Sequence, residues 1–426
     1  MSTKSSFMPM FIMGTLFFIF GFVTWLNGSL IPFLKIVCEL NEFEALFVTF
    51  AFYISYTVMA LPMAYVLEKT GYKDGMALGL GVMALGALLF IPAALSAEFI
   101  IFLIALFTLG TGLTILQSAS NPYIVYLGPV ESAAMRISIM GIINKSAGVL
   151  APIVFSALLF LDVGTQDVMS EASRDALAQK LIVPYIVMAL ILVALIVLIK
   201  RSSLENLTIK DDASSGEKSS IFEFPRLILG SIALFFYVGI EVIAGDTIAL
   251  YAQSIGVESY STLTSFTMFF MVLGYVAGII FIPKYISQKT ALVGSAIFGI
   301  LFLLGVVFSS STSHTLSEIL WGWSGVRTLP DTITFVALLG FANALVWPTI
   351  WPLALDGLGK HTPRGSALLI MSIAGGALLP LLFGKIAQLV SNMQTAYLLG
   401  ILSYAFILYY AVAGHKISSW KNSDNA

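Results

Sequence analysis

Twelve runs of apolar residues dominate this chain, and they limit its architecture more than any motif does. They fall at about 8–31, 44–67, 75–96, 99–126, 137–161, 180–199, 227–252, 262–282, 290–309, 331–355, 366–390 and 394–414. A bilayer core about 30 Å thick takes roughly 20 helical residues to cross. In lipid the backbone must satisfy its own hydrogen bonds, so only helices and closed barrels span it. These runs are continuously apolar and lack the alternation of a barrel strand, so the expected fold is an all-α membrane protein with twelve transmembrane helices. Only 10% of the residues are charged, against about 25% in a soluble domain. A net charge of -2 with no basic patch gives no reason to expect a nucleic-acid partner. The single cysteine, Cys38, excludes an internal disulfide and a cysteine-built metal site. The first run continues past the length of a signal-peptide core, so no cleavable leader is expected.

The runs divide six and six around the polar stretch "KRSSLENLTIKDDASSGEKSS" (200–220). This sets the expected domains: a bundle over 1–199, a linker over 200–225 and a second bundle over 226–426. Helix 5 carries Arg136, Gly148 and Pro152, and helix 11 carries Arg364, Gly376 and Pro380 at the same spacing. Two parallel six-helix repeats are a common plan of secondary transporters, with the substrate held between them. Of 21 lysines and arginines, only Lys35, Arg174, Lys180, Arg327 and Lys385 fall toward the face away from the termini, and Lys145 lies inside a run. The positive-inside rule then puts both termini and the linker in the cytoplasm. The outer loop at 162–179 is expected to hold a short surface helix.

Lys145 stands nine residues beyond Arg136 within one run, about 13 Å along a helix. An ionisable group at that depth is costly unless paired or facing a cavity, and it marks function by default. It can serve as a structural ion pair or as a gating charge that changes partner. Glu241 and Asp246 on helix 7 are the acids at comparable depth, able to carry a proton, bind sodium or pair with Lys145. Gln117 and Asn121 are four apart on one face of helix 4. Their amides suit sugar hydroxyls, and Trp25, Trp347 and Trp351 offer flat faces for a pyranose. Asn27, Asn144 and Asn343 complete the candidate substrate set, with interhelical hydrogen bonding as the other reading of each amide. At the cytoplasmic junctions Glu68, Lys69, Lys73, Asp74, Arg136 and Arg364 could latch the closed gate or simply anchor topology.

The stretches "FFIFGFVTWLNGSLIPFLK" (17–35), "LQSASNPYIVYLGP" (116–129), "INKSAG" (143–148) and "WPTIWPLALDGLGK" (347–360) resemble the major facilitator superfamily, in its fucose and glucose/galactose symporter branch. The resemblance implies a major facilitator fold, alternating access, and import of a hexose with a cation through a site lined by helices 1, 4, 5, 7, 10 and 11. It also implies a multi-pass protein of a bacterial inner membrane, sufficient as a monomer and free of cofactors. Two departures bear on coupling. Gly28 stands where the branch has an aspartate, and Gln117 stands where its fucose/proton members have a glutamate. Three readings follow: sodium coupling, ranked first, with Asn27, Ser29 and Gln117 contributing oxygens; proton coupling through Glu241 or Asp246; and uncoupled sugar facilitation. Other cargo, such as an organic anion attracted by Lys145, is the main rival. An enzyme is not expected: His314, His361 and His415 are scattered and lack ligand spacing.

Overall fold

The computed structural model describes residues 7–128, 133–159, 171–206, 221–282, 284–358 and 361–420. Twelve helices in it are long and apolar enough to cross a membrane. They are numbered here as spans 1 to 12: Met8–Val37, Glu42–Met63, Tyr65–Ser96, Phe99–Ile124, Met135–Leu159, Ser173–Arg201, Pro225–Ser254, Tyr260–Phe281, Gln288–Phe308, Asp331–Leu355, Arg364–Val390 and Met393–Lys416. No β-strand occurs among the described residues. The short helix expected in the 162–179 loop is Glu171–Gln179, where Arg174 pairs with Glu39 at 2.5 Å; residues 160–170 of that loop lie outside the described residues. So does most of the linker, 207–220.

Spans 1 to 6 pack on one another, as do spans 7 to 12, and the two groups meet along spans 1 and 7, 2 and 11, and 5 and 8. The outer faces carry bare aliphatic side chains, among them Val183, Leu190 and Val193 of span 6. Such a surface fits hydrocarbon rather than water. Span 7 is the reverse. Every residue from Tyr237 to Ala252 is buried, so this helix is enclosed on all sides.

Spans 2 and 3 are joined in one continuous helical stretch, Phe47–Ser96, whose corner is at Gly71 near the start of span 3, with φ of 74° and ψ of 174°. That left-handed φ is one that glycine adopts at little cost. Three spans near the centre are interrupted. Span 1 breaks at Leu26, between helices Phe7–Trp25 and Asn27–Val37. Span 10 breaks between Asp331–Asn343 and Val346–Leu355, where Pro348 has no N–H to give the Ala344 carbonyl. Span 11 passes through a 3₁₀ turn at Ser372–Ala374 before Gly375–Val390. Irregular backbone at this depth belongs where helices line a site rather than lipid.

Candidate functional site

Lys145 of span 5 and Glu241 of span 7 form an ion pair, Nζ to Oε1 at 2.7 Å. Both are buried, at 9% and 8% exposure, so the pair joins the two groups of six at the centre of the molecule. Lys145 also lies 4.3 Å from the centroid of the Trp25 ring, a cation–π arrangement. The ring fits there because its neighbours are small. A β-carbon on Gly148 or Gly245 would run into the indole.

Asp246 lies one turn and a half beyond Glu241 on the same helix. It is wholly buried, and neither carboxyl oxygen has a hydrogen-bond partner. Thr49 and Tyr53 of span 2 are close enough to interact with it. Two other buried polar groups without partners are the Trp25 indole N–H and the Asn27 amide nitrogen.

The sequence-based candidates differ in how their polar groups are used. Gln117 is half-buried and donates its amide to the Tyr56 hydroxyl at 3.0 Å. Asn121 is half-buried on the same face, one turn away. Trp347 and Trp351 stack with centroids 5.2 Å apart, and Tyr237 lies 6.3 Å from Trp347. Asn343 accepts from the Tyr404 hydroxyl at 2.8 Å, leaving its amide nitrogen without a partner. Asn144 is different. Its amide donates to the Phe17 carbonyl at 3.3 Å, which ties span 5 to span 1.

Sequence reading missed the face of span 2 that carries Thr49, Tyr53 and Tyr56. Their spacing of four and three residues is a polar stripe at helical periodicity, and it was the available signal.

Of the three residues expected to offer oxygens to sodium, the Ser29 hydroxyl donates to the Ser261 carbonyl at 2.6 Å, and Gln117 bonds Tyr56 through its amide nitrogen rather than its oxygen. Two residues apart on a helix, Asn27 and Ser29 point in nearly opposite directions. Among the described residues no group of three or more His, Cys, Asp or Glu is placed to hold a metal ion.

The two faces of the molecule are built differently. On the face away from the linker, hydrogen bonds cross between the halves. Ser29 bonds Ser261, whose hydroxyl donates to Ser156 at 2.9 Å, and Ser265 donates to the Val149 carbonyl at 2.7 Å. Gly28 abuts the Thr264 hydroxyl and the Gly245 carbonyl. On the linker face the candidate gate charges find partners within the first half. Lys73 donates to the Ser202 carbonyl at 2.8 Å and Asp74 pairs with Lys200 at 2.6 Å. Arg136 donates to the carbonyls of Ile124 and Gly128, and Lys69 lies 4.2 Å from the Tyr65 ring centroid. Glu68 and Arg364 are exposed. Span 4 packs within its own half, leaving the face with Gln117 and Asn121 partly open.

Residues 13–379 match the model of the Major Facilitator Superfamily. The chain belongs to this superfamily. It is therefore a transport protein and not an enzyme. It is 34% identical to the glucose/galactose transporter of Brucella abortus (strain 2308), covering 94% of this chain and 92% of that one. It is 27% identical to the L-fucose-proton symporter of Escherichia coli (strain K12), covering 96% and 93%. The fold matches the Major Facilitator Superfamily transporter FucP in its outward conformation with a TM-score of 0.73 at 24% identity, covering 96% of this chain and 99% of FucP. The relatives place the chain in the superfamily's fucose and glucose/galactose symporter branch.

Proposed function

We propose that this protein imports a hexose of the glucose/galactose class together with a proton, by alternating access, across a bacterial inner membrane. The observation that carries the reading is the alignment over nearly the whole chain with a glucose/galactose transporter and with an L-fucose-proton symporter. The site agrees with such a substrate. Paired amides at Gln117 and Asn121 supply donors and acceptors for hydroxyls. Trp347 and Trp351 supply an apolar surface of the kind that lines small-molecule sites.

The ion is where the reading departs from the sequence. Sodium ranked first there, but the relative whose name states an ion names the proton. Buried carboxylates on span 7 are the groups suited to a proton. The lysine and arginine bias supports a cytoplasmic linker face, so the present conformation is closed to the outside. In this reading residues 1–199 and 226–426 rock against each other, one chain suffices, and the charges of the linker face latch when that side closes. The chain works without a cofactor.

The test is uptake of labelled D-glucose, D-galactose and L-fucose into proteoliposomes. An inward proton gradient in sodium-free buffer is compared with an inward sodium gradient at equal pH. Accumulation driven by protons alone is expected. Accumulation driven by sodium alone would overturn the coupling, and uptake of none of the three sugars would overturn the substrate class.

A further inference from the structure

Three ionisable side chains are buried together where the halves meet: Lys145, Glu241 and Asp246. Lys145 is taken up by Glu241 at 2.7 Å. Asp246 has no exposed surface and no donor within ordinary hydrogen-bond distance of either oxygen, with the Thr49 hydroxyl of span 2 near enough to act on it. A carboxylate left charged and unpaired in such a place is opposed by several kcal/mol even after relaxation. The other groups acting on it are the Glu241 carboxylate on its own helix, the Lys145 ammonium from span 5, and the Tyr53 and Thr49 hydroxyls from span 2. On span 12, the Tyr397 hydroxyl is bound to Thr247, the next residue along span 7, at 2.9 Å.

Counting charge decides the stoichiometry. With both acids ionised the cluster carries one excess negative charge; with one proton bound it is neutral. Glu241 already has its counter-ion, so the proton belongs on the other acid. We propose that Asp246 is the proton-binding group of the transporter, taking up one proton per cycle, and that closure of the outer gate depends on its protonation. The inference rests on the proton-coupled reading above. The step is a plain acid–base one: a hydronium ion gives its proton to a carboxylate oxygen, one O–H bond forms there as one O–H bond of hydronium breaks, and a water molecule is left behind.

The gate supplies the link between proton and conformation. Gly245, adjacent to Asp246, accepts a hydrogen bond from Thr264 at 2.7 Å, abuts Gly28 of span 1 and holds the Trp25 ring. Parting spans 1 and 7 at this point admits water to the neighbouring carboxyl. Bringing them together removes it. Closure with the proton on buries a neutral acid, whereas closure with it off buries a charge. After release toward the linker face the empty carrier must still pass back through the occluded state. Lys145, which already acts on both acids, is then the counter-ion available to Asp246.

The deciding experiment compares the wild-type protein with Asp246→Asn and Glu241→Gln in proteoliposomes, measuring proton-driven accumulation and sugar counterflow. Asp246→Asn mimics the protonated acid in shape and charge. It is expected to lose accumulation, with the internal-to-external ratio falling to its equilibrium value, while counterflow persists and no longer varies with pH. Accumulation by Asp246→Asn equal to that of the wild type would overturn the assignment while leaving proton coupling intact. Absence of proton-driven accumulation in the wild type would overturn both. An infrared difference spectrum of the wild type carrying ¹³C-aspartate guards against a folding defect in the variant. A protonated-carboxyl band that shifts with the label and disappears as the pH is raised is expected. A pH-insensitive aspartate spectrum would also sink the proposal.

Discussion

Lys145 and Glu241 meet at 2.7 Å across the boundary between the two halves, and the pair is both a brace and a liability. In this conformation it holds span 5 to span 7 at a depth where neither partner has water as an alternative. Removing one partner of a buried pair typically costs about 3–5 kcal/mol, because the other is left charged. The two partners are not equivalent. Glu241→Gln leaves Lys145 with Asp246 as a remaining acid, whereas Lys145→Met leaves two acids and no cation. Thermal unfolding in detergent should therefore rank Lys145→Met as the least stable, Glu241→Gln as intermediate, and the double variant as more stable than Lys145→Met alone. Strictly additive losses would show that the pair has no coupling energy in the folded protein.

Gly28 gives a second prediction. It lies against the Thr264 hydroxyl and the Gly245 carbonyl, so any side chain there obstructs the outer seal. Gly28→Ala should shift the population toward the outward-open state, and Gly28→Asp more strongly. Maleimide labelling of Ser261→Cys, at a position buried in the seal at 3% exposure, reads this out in a Cys38→Ser background. Labelling from the outside should rise in both variants. An unchanged rate would mean that the glycine does not limit closure.

Much of this was legible in the sequence because a membrane imposes so few solutions. Run length, the polar linker and the lysine bias led to twelve spans in two groups, and the depth of Lys145 marked it as either a buried ion-pair partner or a gating charge. The repeated Arg–Gly–Pro spacing was visible too, but its two arginines sit differently: Arg136 is buried against the end of span 4, while Arg364 is exposed. What the sequence left open was direction around the helix axis at positions where either face is polar. Asn144 and Lys145 are neighbours, yet one amide braces span 1 while the adjacent ammonium crosses to span 7. Asn27 and Ser29 looked like one oxygen cluster and instead face apart. Tyr53 and Tyr56 were overlooked because tyrosine in an apolar run reads as core.

On the proposed function, Gln117 is expected to contact substrate and Asn144 to serve packing. Gln117→Ala deletes an amide on the partly open face of span 4 and should raise KM for the sugar about tenfold, the scale of one good hydrogen bond, with little change in kcat. Asn144→Ala deletes a brace between spans 1 and 5. It should leave KM unchanged and lower stability by about 1 kcal/mol. Initial uptake rates over a range of sugar concentrations, with thermal unfolding in parallel, check both. A raised KM in Asn144→Ala would return that residue to the substrate site.

Cys38 tests whether the first half moves as a unit. It is the only cysteine and lies just past the end of span 1, where its thiol donates to the Ala97 carbonyl at 3.5 Å. Burial pushes the thiol pKa up to about 12, with the Glu98 carboxylate adding to the shift. The reactive species is the thiolate. Raising the pKa means that the proton stays on through neutral pH, and thiolate appears only as pH climbs toward 12. Maleimide labelling at pH 7 should therefore be far slower than for a free thiol. Both partners, Ala97 and Glu98, belong to the same half as Cys38, so rigid rocking of that half leaves the site unchanged. Labelling should stay slow with or without sugar and with or without a proton gradient, and become fast only on unfolding. A rate that rises when sugar or a gradient is applied would show that the outer end of span 1 moves against spans 3 and 4, and the two-body description of the transport cycle would have to give way to one in which span 1 bends at Leu26.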